Sequence, residues 1–195
     1  MKVLLFVLFL FIVTFSDAQN DTAKVFSLDL EFRPRVEFRR GYAKLPEAGE
    51  KPAFFVSNRA RFNINFDQKK FKFHTSIQDI RVWGETGSGF NGNTFGIFEA
   101  YIEPFFTKKW SIRIGRQAVE LDNARLFARS NWNQTSRAHE GVNLRYTGKK
   151  VQSELMGFYN QSSEQLFGTD YSFATSNYLF LALHSGNYQL SDKFN

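Results

Sequence analysis

Within Val25–Arg39 the chain alternates without a break for longer than an ordinary strand does. Phe26, Leu28, Leu30, Phe32, Pro34, Val36 and Phe38 take the even positions. Ser27, Asp29, Glu31, Arg33, Arg35, Glu37 and Arg39 take the odd ones. Side chains of an extended strand point alternately to its two faces. One face must therefore meet an apolar medium and the other must meet water or polar partners. Ordinary strands average about five or six residues, whereas a strand crossing a bilayer needs roughly 9–11. Length and charge density together favour a sheet with lipid on one side. Pro34 cannot donate a ladder hydrogen bond, so an irregular spot or an unpaired edge is predicted there.

The same period recurs along the chain. Phe54–Phe66, Phe71–Trp83, Phe95–Pro104, Trp110–Gly115, Gly141–Tyr146, Val151–Tyr159 and Tyr178–Ser185 read as further strands, eight in all. In Phe71–Trp83 the apolar residues Ile80 and Val82 fall out of phase with Phe73 and Ile77. That shift predicts a β-bulge near Gln78–Asp79. Phe98, Ala100 and Ile102 are predicted to share one face, as are Leu179, Leu181 and Leu183. Short turns carrying Lys69–Lys70, Lys108–Lys109, Lys149–Lys150 and Lys193 alternate with longer polar loops. That is the outer-membrane arrangement, short turns on the periplasmic side and long loops outside. Phe66, Phe71, Phe105, Phe106, Trp110 and Tyr146 cluster beside the turns, where the membrane–water interface would fall.

The N-terminus fits secretion. Met1–Lys2 is a positive start, Val3–Val13 an apolar stretch, and Ser16-Asp17-Ala18 a small-x-small cleavage site, so residues 1–18 read as a signal peptide. The apolar stretch is too short for a spanning helix, which needs roughly 20 residues. Residues 19–195 then form one outer-membrane domain. Aromatic content of 17%, with 24 Phe, suits strands that show rings on one face. The chain has no Cys, which excludes disulfides, thiolate metal sites and an N-terminal Cys lipid anchor.

Arginine and lysine are placed differently. Arg33, Arg35, Arg59, Arg61, Arg81, Arg113 and Arg145 fall in strands, while lysine gathers in turns. An arginine facing lipid at the bilayer midplane would cost about 2–4 kcal/mol, so these side chains are predicted to face a lumen. Glu99, Glu103 and other carboxylates accompany them. Two readings remain open: Arg–carboxylate pairs that prop or fill the lumen, and an electropositive path for anions. Between the fifth and sixth strands lies Gln117–Glu140, longer than a connection needs. Its arginines are interleaved with Val119, Leu121, Leu126, Phe127 and Trp132. This loop is predicted to fold inward and bring Arg125, Arg129 and Arg137 near the lumen axis beside Arg116, with Glu120 and Asp122 limiting the repulsion.

Other chemistries find little support. The net charge of +6 is modest and is not gathered in one tract, against nucleic acid as a partner. Gly87–Gly92 matches G-x-G-x-x-G, but no helix follows for a dinucleotide site. His74, His139 and His184 are scattered without metal-ligand spacing. No nucleophile motif is present, so no enzyme, cofactor or metal is expected.

IRIGRQAVELDNARLFARSNWNQTSRAHEGVNLRY, residues 112–146, resembles the alginate-export family of outer-membrane barrels in Gram-negative bacteria. The matching elements are Gly115–Gln117, Asp122 with Arg125-Leu126, Asn131–Gln134, and Arg137 ahead of the next strand. The LDLEFRPRVEFRRGY and FHTSIQDIRVWG segments are similar too. The resemblance implies a large single-chain barrel and an arginine-lined lumen for an anionic polyuronate. It also implies Arg116, Asp122, Arg125, Arg129 and Arg137 as constriction residues. This chain is much shorter than such proteins. The expectation is therefore an all-β, antiparallel transmembrane barrel, of which these strands are the N-terminal portion, continuing past Asn195. Its function would be a porin for polar or anionic solutes, with polysaccharide export or saccharide passage among them; its partners would be outer-membrane lipid and that solute. The alternative is a closed eight-stranded barrel, whose interior side chains would fill, acting as a structural anchor or a lipid-modifying enzyme.

Overall fold

The computed structural model describes residues 25–41, 44–85, 95–161, 164, 166–168 and 178–190. The signal peptide, the Gly87–Gly92 match and the final turn with Lys193 lie outside the described residues. The fold is all-β: β1 (Phe26–Arg39), β2 (Ala53–Asp67), β3 (Phe71–Val82), β4 (Phe95–Pro104), β5 (Trp110–Gln117), β6 (His139–Thr147), β7 (Val151–Tyr159) and β8 (Phe180–Tyr188). They form one antiparallel sheet in chain order, and no helix occurs among the described residues. The sheet is open: β1 pairs only with β2, and β8 only with β7.

Register decides which side chains share a face. Arg33 sits opposite Arg59, Glu31 opposite Arg61, and Asp29 opposite Asn63. Arg61 in turn faces Gln78, and Asn65 faces His74. This polar face runs on through Glu99 and Glu103 of β4, Ser111 and Arg113 of β5, Asn143 and Arg145 of β6, and Glu154 of β7. The exposures invert the rule for soluble proteins, in which charge lies outside and apolar side chains inside. Arg59 is 0% exposed and Glu103 3%, while Leu30 is 70% and Phe38 74%. Pro34 finds its predicted edge. A hydrogen bond from Asp67 N to the Val25 carbonyl (2.7 Å) puts the odd residues of β1 in hydrogen-bonded pairs with β2. The missing donor of Pro34 therefore points to the open side.

Two strand readings are corrected. The β2–β3 ladder is continuous through Gln78 and Asp79, and the bulge lies across from them, where the β3–β4 register shifts at Ser76/Ile77. The extra residue is Phe98, unpaired between Glu99 and Ile97. A bulge turns two consecutive side chains toward one side; both Phe98 (3% exposed) and Glu99 are buried on the polar face. Phe98 thus leaves Ala100 and Ile102. In β8, Leu181 and Leu183 lie opposite Phe158 and Met156, on the face that carries Glu154. There they join a small core with Val119, Leu121, Phe127 and Tyr178. Toward the long-loop end both faces of β7–β8 carry apolar residues, which weakens the alternation of β7.

Gly115 and Gly141 face each other across β5 and β6. Gly115 has φ +124°, and a Cβ at Gly141 would overlap the Gly157 carbonyl and the Phe158 backbone and ring. Gly141→Val is expected to lower the stability of the refolded protein by about 3 kcal/mol, read as the shift in denaturant midpoint. Gly96→Val, where a Cβ meets nothing within 4 Å, should leave the midpoint near that of the wild type.

Candidate functional site

The connection from β5 to β6, residues 118–138, lies across the polar face of the sheet. Its first contact is to Glu99, whose Oε1 accepts from Ala118 N at 2.8 Å. Val119 is then buried against Met156 and Phe158. A turn follows, with Asp122 and Ala124 at φ +50° and +59°, and Ala124 N donates to the Leu121 carbonyl at 2.9 Å. A left-handed Ala costs roughly 1–2 kcal/mol, which the packing of Leu121 and Phe127 on β7 and β8 offsets. The chain then crosses to β1. Arg129 donates to Glu99 Oε2 at 2.5 Å, and Ser130 and Ser136, at φ +51° and +56°, bracket a compact turn.

That turn, Asn131–Thr135, is held by the strand arginines. Arg33 donates to Gln134 Oε1 (2.8 Å) and to the Asn131 and Asn133 carbonyls. Arg59 donates to the Asn133 carbonyl, Ser136 Oγ and Asn131 Oδ1 (3.2, 3.1 and 2.8 Å) and pairs with Glu31. Arg35 reaches the Trp132 carbonyl at 2.9 Å. Arg61 bonds Gln78 at 2.7 Å and Ser136 Oγ at 3.1 Å, with its guanidinium 4.1 Å from the Phe98 ring centroid. Gln134 Nε2 donates to Ser57 Oγ at 3.0 Å. Guanidinium forks suit this work, because each offers several donors in a fixed plane.

Nearer the short turns a second cluster forms around Glu103. Its carboxylate accepts from Ser111 Oγ at 2.8 Å, from Arg113 at 2.9 Å and from Arg145 at 2.9 Å. Arg145 also pairs with Glu154 at 3.0 Å. Arg113 lies 4.2 Å from the Tyr101 ring centroid. Beneath the loop is a cavity of about 550 Å³ bounded by Asp29, Arg61, Asn63, Glu120, Arg129 and Asn131. A second, of about 400 Å³, is bounded by Lys72, Tyr101, Glu103, Arg113 and Arg145. Asn65 and His74 line both.

The structure therefore brings Arg33, Arg35, Arg59, Arg61, Arg113, Arg129, Arg145, Glu99 and Glu103 to one face. It separates two others from them. Arg81 pairs in register with Asn58, on the side of Phe54 and Phe62, and bonds Asp79 at 2.8 Å. Arg116 faces Ala100 and Glu140, on the side of Ile112 and Ile114, and bonds Glu140 at 2.8 Å. Both sit at the long-loop ends of their strands. Asp122 and Arg125 are exposed at the loop's turn. Arg137 is exposed beside Phe127, His139 and Tyr178, which with it bound a cavity of about 630 Å³. Sequence reasoning missed Gln134, Ser136 and Phe98 as partners of the arginines, and Ser57 as the partner of Gln134. The amide-rich Asn131–Gln134 stretch signalled the first of these; nothing signalled Phe98, whose place depends on the bulge. Compared with protein-family models and with curated proteins, the chain matches none.

Proposed function

We propose that these strands are part of an outer-membrane β-barrel that passes polar or anionic solutes, with the β5–β6 loop as its constriction. One observation carries the reading: one face is apolar and exposed, while the other buries arginines and carboxylates beneath an inward-folded loop. Such a sheet is stable where lipid covers the first face, because a hydrocarbon medium removes the cost of exposing Leu30, Phe32, Val36 and Phe38. Lipid also requires every backbone group to be paired. The open edges of β1 and β8 would then be closed by further strands, not by each other. The resemblance of residues 112–146 to the alginate-export family points the same way and adds a saccharide to the candidate solutes.

The lumen would differ from a bare arginine ring. Most strand arginines are engaged with carbonyls or carboxylates, so they shape the passage more than they attract ions. Arg33 holds neutral carbonyls and keeps its charge, Arg35 shares its charge with Glu37, and Arg125 and Arg137 make no ion pair among the described residues. A modest anion preference follows. Planar-bilayer recording of the full-length protein tests this. Channels with a weak preference for anions, falling as salt rises and screening shortens to about 8 Å at physiological strength, are expected. The absence of channels, or firm cation selectivity, would overturn the reading.

A further inference from the structure

The antiparallel order places the three described short turns at one end of the sheet. Each ends in a lysine pair: Lys69–Lys70, Lys108–Lys109 and Lys149–Lys150. All of these side chains are exposed, and none forms an ion pair among the described residues. The nearest carboxylates are committed elsewhere. Asp67 lies 3.9 Å from Lys72, and Glu103 and Glu154 point to the covered face, where arginines hold them. On the opposite, apolar face the strand ends carry paired rings just inside the lysines. Phe66 and Phe71 have centroids 5.8 Å apart, and Trp110 and Tyr146 4.9 Å apart.

We infer that this rim docks on the anionic headgroups of a phospholipid leaflet. The inference rests on the transmembrane reading above. Aromatic rings settle at the boundary between hydrocarbon and headgroups. With the rings at that depth, the ammonium groups lie at the level of the lipid phosphates. Lysine suits the task, since it is a compact charge on a flexible stem that can follow a fluid surface. Each lysine near an anionic leaflet strengthens attachment by about fivefold, although neighbouring charges do not act independently. The rim thus fixes which end of the sheet faces the phospholipid leaflet and biases insertion toward it.

The test refolds the full-length protein into phosphatidylcholine vesicles and into vesicles that also contain phosphatidylglycerol, with protease protection reporting insertion. The wild type should insert about tenfold faster into the anionic vesicles, and added salt should erase the difference. Replacing the six rim lysines with glutamine should remove the advantage and leave insertion into phosphatidylcholine unchanged. An equal phosphatidylglycerol advantage in wild type and variant would overturn the role of the rim alone. Failure of the wild type to insert into either vesicle would overturn the transmembrane reading, and this inference with it.

Discussion

Arg59→Ala should release the loop from the β1–β3 end of the sheet and, in the proposed channel, widen the passage. Arg59 is fully buried, and it ties the loop at four separate residues, Asn131, Asn133, Gln134 and Ser136, while pairing with Glu31. Removing one partner of a buried ion pair costs about 3–5 kcal/mol. The lower end applies, because Glu31 is 34% exposed and keeps Arg61 at 3.8 Å. The loop carbonyls would turn to water, so the loss falls mainly on the loop and not on the sheet ladders. Two measurements follow from this. External protease should cut within residues 118–138 of the inserted variant and spare the wild type. Single-channel conductance should rise severalfold. Arg59→Lys should recover only part of the protection, since one ammonium cannot reach acceptors spread across a guanidinium plane. A protected loop with unchanged conductance would mean that the apolar anchor at Val119, Leu121 and Phe127 suffices to hold it.

Strand number, order and antiparallel pairing were legible from alternation and turn spacing; of the three loop arginines expected together, only Arg129 lies on the polar face, while Arg125 and Arg137 are exposed away from it. Alternation reports faces reliably only where one face is apolar and the other polar, as in β1 and β2. In β7–β8 the loop's core demands apolar residues on the inner face as well, so the periodicity fades; the pattern puts Leu181 and Leu183 on one face, as the register does, but cannot say which face that is. The bulge illustrates a second limit. A phase shift in Ile80 and Val82 could be absorbed by either partner strand, and the register places the extra residue in β4, at Phe98. Without a bulge in β3, Asp79 and Arg81 fall on the apolar side, where they pair with each other at the strand's outer end. Arg116 does the same with Glu140. An arginine in a membrane strand need not face a lumen, because near a rim the cost of facing outward falls to about 0–1 kcal/mol. The partners of the inner arginines were the least legible part. Carboxylates are the obvious acceptors in a sequence, whereas backbone carbonyls of a folded loop are invisible there.

Glu103→Gln should shift selectivity further toward anions. Glu103 is buried and is shared by Arg113 and Arg145, with Ser111 as a third donor. Its charge cancels part of a cationic group that also includes Lys72 at the same cavity. Glutamine keeps the shape and one acceptor oxygen but removes the charge, so Arg113 loses its only described carboxylate while Arg145 keeps Glu154 at 3.0 Å. One uncompensated charge roughly 7 Å from a passing ion, in a medium of effective dielectric near 40, is worth about 1 kcal/mol. The anion-to-cation permeability ratio should therefore rise about fivefold, measured as a reversal-potential shift in a salt gradient. Stability should fall, by about 2 kcal/mol for the amide and more for Glu103→Ala, which leaves Arg113 without an acceptor while Arg145 keeps only Glu154. Arg113→Gln must move the ratio the opposite way, which separates a charge effect from general loosening of the sheet. If both variants leave the reversal potential where it was, the Glu103 cluster serves packing between β4, β5 and β6 and does not act on passing ions.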